Sequence, residues 1–75
     1  MTKYELLSFL QAHGNAVGED ISRAFELSIP ATGMALLRLT RQSLAVRHFD
    51  PDSGCYWYEL TTSGLRRLRY YNNSH

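Results

Sequence analysis

One cysteine, two prolines and no long apolar run mark this chain, and each scarcity excludes something. Cys55 alone cannot close an internal disulfide, so a small secreted scaffold held by cystines is ruled out. A reducing, cytoplasmic setting is the expectation, with a disulfide between two chains left open. No stretch approaches the roughly 20 apolar residues that cross a bilayer, so no membrane partner is expected. The N-terminus lacks the basic region and apolar core of a secretory signal. Net charge is small, +1 with neutral histidines, which argues against strong nonspecific attraction to a polyanion. Metal binding needs three or four converging ligands, and none gather at such spacing. His13, His48 and His75 stand far apart, and no serine or cysteine has a base beside it. No cofactor, metal or enzymatic activity is therefore expected. Seventy-five residues also leave little room for a ligand pocket.

What is present organises around Asp20 to Leu44. The chain is short enough for one domain, 1–75, whose small core must be used fully. Ile21, Phe25 and Leu27 give one helix an apolar side. Thr32, Leu36, Leu39 and Thr40 give the next an inward stripe at three- and four-residue steps. Pro30 marks the start of this second helix, because proline at the first helical position loses no hydrogen bond. It also biases Ile29 away from helix, which assigns Ile29 to the turn and makes Ser28 the better cap. Two helices joined by a tight corner result.

The flanks read as follows. Thr2 and Glu5 form a capping-box pattern for a helix over about 3–13, with Leu6, Leu7 and Leu10 inward and Tyr4 or Phe9 on a second surface. Gly14 closes it. Ala16-Val17 allows one short extended step before helix 18–27, whose start carries Glu19 and Asp20, acids favoured by the helix dipole. The second helix of the corner runs over about 30–43. From Leu44 the period becomes two: Ala45, Arg47 and Phe49 on one side, Val46 and His48 on the other. Asp50-Pro51-Asp52-Ser53-Gly54 is a turn, and Cys55–Leu60 alternates again, so 44–60 is a hairpin. Pairing Phe49 with Cys55 sets His48 opposite Tyr56, Arg47 opposite Trp57 and Val46 opposite Tyr58. Tyr56 and Tyr58 then face the core, Phe49 and Trp57 share the outer face, and Cys55 and His48 fall on opposite faces. Thr61 to Gly64 caps a last helix, 62–71, with Leu65 and Leu68 inward and Arg66, Arg67 and Arg69 outward. Asn72 to His75 reads as a frayed polar tail.

The order is helix, helix, turn, helix, hairpin, helix, an α+β but mostly helical arrangement. With Tyr58-Glu59-Leu60-Thr61-Thr62-Ser63-Gly64-Leu65 closing the hairpin, it resembles the winged helix-turn-helix superfamily, and MarR-, ArsR- and PadR-like transcriptional regulators most of all. Their second strand often ends in Tyr-x-Leu-Thr-x-x-Gly before a helix. Leu27-Ser28, Leu36, Leu39 and Ser43-Leu44-Ala45-Val46 match in register, with Ser43 where that family often has glycine. The resemblance spans about residues 3–70.

It implies a three-helix core, a two-stranded wing and a C-terminal helix. It also implies a dimeric binder of double-stranded DNA whose helix 30–43 enters the major groove while the wing meets backbone or minor groove. Carried over by position, the contact residues are Pro30, Ala31, Gly33, Met34, Leu37, Arg38 and Arg41, joined by Arg47 on the wing. Tyr4, Phe9, Tyr70 and Tyr71 are the expected subunit interface, as on the first and last helices of related families.

Two features depart from that pattern. Only Arg38 and Arg41 on the groove face could read base edges. The wing tip is acidic at Asp50 and Asp52, which would repel phosphate. Arg47 is expected in a cation–π pair with Trp57; Phe49 with Trp57 marks a surface for a protein partner, with a dimer contact, a DNA contact and cover by a terminal helix as the competing readings. The N-terminal half is net acidic, with Glu5, Glu19, Asp20 and Glu26 against Lys3 and Arg23. The other half is net basic through its arginines. An alternative therefore stays open: a winged-helix protein-interaction module without specific DNA binding, drawing on Pro30, Met34 and Leu37.

Overall fold

The computed structural model describes residues 2–73. Its elements are α1 (Lys3–His13), β1 (Ala16–Val17), α2 (Gly18–Phe25), α3 (Ile29–Arg41), β2 (Ala45–Asp50), β3 (Cys55–Leu60) and α4 (Thr62–Asn73). Among the described residues no helix is long and apolar enough to cross a membrane.

Local chemistry sets each boundary. Thr2 Oγ1 accepts from Glu5 N at 3.1 Å and Glu5 Oε1 accepts from Thr2 N at 3.0 Å, a complete capping box. These bonds, the backbone N–H of Thr2 first, hold the Glu5 carboxyl below its ordinary pKa. At the other end Asn15 N donates to His13 O at 2.7 Å across Gly14, whose φ of 71° and ψ of −59° make a γ-turn that suits glycine.

The corner is built by a helix end and a cap. α2 stops at Phe25, two residues short of the reading above, because Glu26 turns left-handed at φ 54°. Leu27 N then donates to Ser22 O at 3.0 Å, which satisfies a terminal carbonyl. Ser28 Oγ accepts from Ala31 N at 3.2 Å and so caps α3. The cap places Ile29 as the first helical residue rather than in the turn, and Pro30 second. Proline fits there because the N–H groups of a first turn have no intrahelical partner. α3 ends at Arg41 rather than near 43. Ser43 takes φ 60°, Ser43 N donates to Thr40 O, and Leu44 N donates to Leu39 O, both at 3.0 Å. Ser43 thus ends α3 in a left-handed conformation that favours glycine.

Three strands, not two, form the sheet, in the order β1-β3-β2. Ala16 faces Tyr58 and Val17 faces Trp57 across the β1–β3 pair. The wing register differs by one residue from the sequence reading: Asp50 pairs with Cys55, Phe49 with Tyr56, His48 with Trp57 and Arg47 with Tyr58. Asp50 belongs to the strand because it closes the turn. Its Oδ1 accepts from Asp52 N at 3.0 Å and its carbonyl from Gly54 N at 2.8 Å, which leaves four residues in the loop. A slip of one exchanges the faces of every cross-strand partner. Phe49 and Trp57 consequently lie on opposite faces, while Cys55 and His48 share one.

The α3–β2 junction is locked to α4 by Thr61. Its N–H donates to Leu44 O at 3.1 Å, its hydroxyl donates to Ser43 O at 2.6 Å, and its Oγ1 accepts from Gly64 N at 3.0 Å. Thr61 therefore caps α4 and ties it to the wing root in one residue. α4 continues through Asn72 and Asn73, so these are helical rather than frayed; Ser74 and His75 lie outside the described residues. Leu6, Leu7, Leu10, Ala16, Ile21, Leu36, Leu39, Leu44, Ala45 and Leu68 make the core. The buried Thr32 hydroxyl is satisfied by donating to Ser28 O at 3.0 Å.

Candidate nucleic-acid interface

α3 buries Thr32, Leu36 and Leu39, half-buries Ala35 and Thr40 beside them, and leaves its opposite face outward. Pro30, Ala31, Gly33, Met34, Leu37, Arg38 and Arg41 are all exposed, and together they form one continuous helix face. Met34 and Arg41 are seven positions apart and so stand on one line about two turns long. Among the described residues the ion pairs are Arg23–Asp20 at 3.4 Å and His48–Glu59 at 2.8 Å. Among the described residues no carboxylate engages Arg38 or Arg41, and both guanidinium groups lie on the exposed face.

The wing carries two distinct faces. On one, the Arg47 guanidinium sits 4.2 Å from the ring centre of Tyr56, and Phe49 packs edge-on against the same ring at 5.3 Å. Arg47 therefore stacks on Tyr56 and not on Trp57. Tyr56 is exposed rather than core, while Tyr58 is half-buried. On the other face His48 stacks on Trp57 at 4.1 Å and its Nε2 reaches Glu59 Oε1. The surface expected from Phe49 plus Trp57 is thus divided between two faces.

Between α3 and the Tyr56–Tyr58 face lies an open cleft of about 360 Å³, bordered by Val17, Ile29, Leu36 and Cys55, with Glu19 at its edge. A chain of this length was expected to leave little such space; the overhang of the wing beside α3 creates it.

The terminal aromatics split as well. Tyr4 and Tyr71 meet edge to face at 6.1 Å, Tyr71 and Tyr70 at 6.0 Å, and the Tyr4 hydroxyl donates to Asn72 Oδ1 at 2.9 Å. Phe9 stands apart. It stacks on His13 at 3.9 Å and tilts against Phe25 at 5.6 Å.

Lys3 is a residue the sequence reading missed. Its Nζ donates to Gln42 Oε1 at 2.8 Å, which brings the start of α1 to the end of α3. No local pattern carries that signal, since the partners are 39 positions apart.

A helix-corner-helix with an exposed second helix, followed by a hairpin and a closing helix, defines a winged helix. No protein-family model matches the sequence, and no curated protein matches it. Solved structures do. MepR, a transcription regulator of the Staphylococcus aureus multidrug efflux pump MepA, has a TM-score of 0.87 at 26% identity, over 95% of this chain and 53% of MepR. The S. aureus MepR–DNA complex has a TM-score of 0.85 at 26% identity, over 95% of this chain and 52% of that one. An Escherichia coli MarR mutant complexed with operator DNA has a TM-score of 0.85 at 16% identity, over 91% of this chain and 49% of MarR. The fold is the winged helix of the MarR-family regulators, and this chain spans about half the length of the solved structures it matches.

Proposed function

We propose that this chain is a DNA-binding transcriptional regulator that sets α3 into the major groove of double-stranded DNA. One observation carries the reading: the exposed face of α3 holds Arg38 and Arg41 with no carboxylate partner among the described residues. The neighbours support it, since MepR and MarR were both solved on DNA. Arginine forks suit guanine edges and phosphates alike. Pro30, Ala31, Gly33, Met34 and Leu37 supply close apolar approach, with Met34 and Ala31 fit for thymine methyls. Arg47 adds a cation on the wing face beside α3. The chain acts as a homodimer in this reading, through Tyr4, Tyr70 and Tyr71; Phe9 supports α2 instead.

Fluorescence anisotropy with random duplexes across a salt series tests the proposal. Affinity falls steeply as salt rises. On a selected duplex, Arg38→Ala costs about 1–3 kcal/mol. Absence of binding to any duplex at low salt removes the reading.

A second reading has its own observation. Ile29, Met34 and Leu37 are 62%, 49% and 37% exposed, an apolar strip on the same helix. A stoichiometric protein partner covering that strip, together with no retention on duplex DNA, favours an interaction module.

A further inference from the structure

The two flanks of α3 carry opposite chemistry. Toward α2 and the wing, Glu19 edges the apolar cleft, and Asp20 and Asp50 share a second depression with Asn15 and Trp57. Asp52 stands exposed at the tip. Toward α1, Lys3 and Arg38 line one small depression of about 150 Å³ with Thr2, Leu6, Ala35 and Leu39. Lys3 Nζ is fixed to Gln42 Oε1, Arg41 is the preceding residue, and Arg38 lies one turn earlier. Among the described residues no carboxylate pairs with any of these three cations. The acid of α1's first turn, Glu5, is turned to Thr2 N.

From this juxtaposition we infer that Lys3, Arg38 and Arg41, with Gln42 as tether, form a phosphodiester-binding site at the α1–α3 junction. The site grips the sugar-phosphate backbone beside the groove that α3 occupies. The inference rests on the DNA-binding reading and deepens it, because it adds a backbone grip at the α1 edge to the arginines of α3. The chemistry fits the division of labour. Lysine is a compact point charge on a flexible stem, suited to phosphate without base preference. The amide oxygen of Gln42 orients it without neutralising it. The acidic flank repels the same backbone, so the duplex is drawn to one side of α3.

The test is the salt dependence of binding by the full chain to a random and a selected duplex. Each phosphate contact contributes about 0.9 to the slope of log affinity against log salt. Lys3→Gln is expected to reduce the steepness by about one and to weaken both duplexes equally, about 5- to 10-fold at 0.1 M salt. Lys3→Arg is expected to keep the wild-type slope, and thermal melts confirm that both variants fold. If the wild-type chain binds DNA and Lys3→Gln keeps the full slope, the junction site is wrong and the DNA-binding reading stands. If Lys3→Gln weakens one duplex only, Lys3 reads sequence and the backbone site is likewise overturned. If the wild-type chain binds no duplex, the functional reading itself fails.

Discussion

Gly64 meets Leu44 backbone to backbone: a Cβ at position 64 would overlap the Leu44 carbonyl oxygen and press on the Leu60 side chain at 3.1 Å. That approach explains the glycine of the Tyr-x-Leu-Thr-x-x-Gly run. The same carbonyl accepts from Thr61 N, so neither partner can retreat without losing a hydrogen bond.

Gly64→Ala is therefore expected to destabilise the domain by about 1–3 kcal/mol, as overpacking does. In a chain of this size each kcal/mol lowers Tm by about 4–8 °C. Gly33→Ala is the control, since nothing lies within 4 Å of its added carbon. In the interior of α3 it should stabilise by up to about 1 kcal/mol. Circular dichroism melts that fail to separate the two substitutions would remove the backbone-contact argument.

Thr61→Val keeps the shape and removes the hydroxyl. It leaves Gly64 N and Ser43 O each without a partner. The cap alone is worth about 1 kcal/mol, and the lost tie to Ser43 adds to it. Urea denaturation should place the variant about 1–3 kcal/mol below wild type.

Ser43 and Glu26 hold left-handed backbone with side chains attached. Ser43→Gly is expected to raise Tm, because relief of a penalty of about 1–2 kcal/mol exceeds the added chain entropy. Ser43→Val should lower it, since a β-branched residue fits that region worst. A valine variant as stable as wild type would contradict the assigned corner.

Acid should act through Glu5. Its pKa is depressed in the folded state from an ordinary 4.5, by the Thr2 N–H first and the Thr2 hydroxyl second. A depressed carboxyl stabilises the fold above the unfolded value, and this contribution is lost as pH falls through the folded value. The stability gap between wild type and Glu5→Gln should stay constant above about pH 6 and close below 4.5. Paired denaturant titrations at pH 7 and pH 3 measure it.

Much of this was legible in residue order because it is local. Thr2 with Glu5, Ser28 before Pro30 and Thr61 before Gly64 each act within three or four positions, where spacing fixes geometry. The wing register was not. Alternation tells which residues share a strand face, but the partner strand is placed by the turn, and Asp50 can stand in either. One residue there moved Arg47 from Trp57 to Tyr56 and divided Phe49 from Trp57. Lys3 was invisible for a different reason: its neighbour Gln42, 39 positions away, is brought to it by the tertiary fold, which no periodicity encodes. On α3 itself, the outward positions of Pro30 through Arg41 followed from the inward stripe, since a helix with a known buried side has a known opposite side.

The two residues of β1 have a mechanical consequence. They reach only Trp57 and Tyr58, so the wing is three strands thick at its root and two beyond. It is a cantilever clamped at Trp57 and Tyr58, and its free overhang runs from Phe49 to Tyr56. Lengthening the chain at the exposed Asp52–Ser53 link should change how far this arm extends, while the clamp and the helices behind it keep their places.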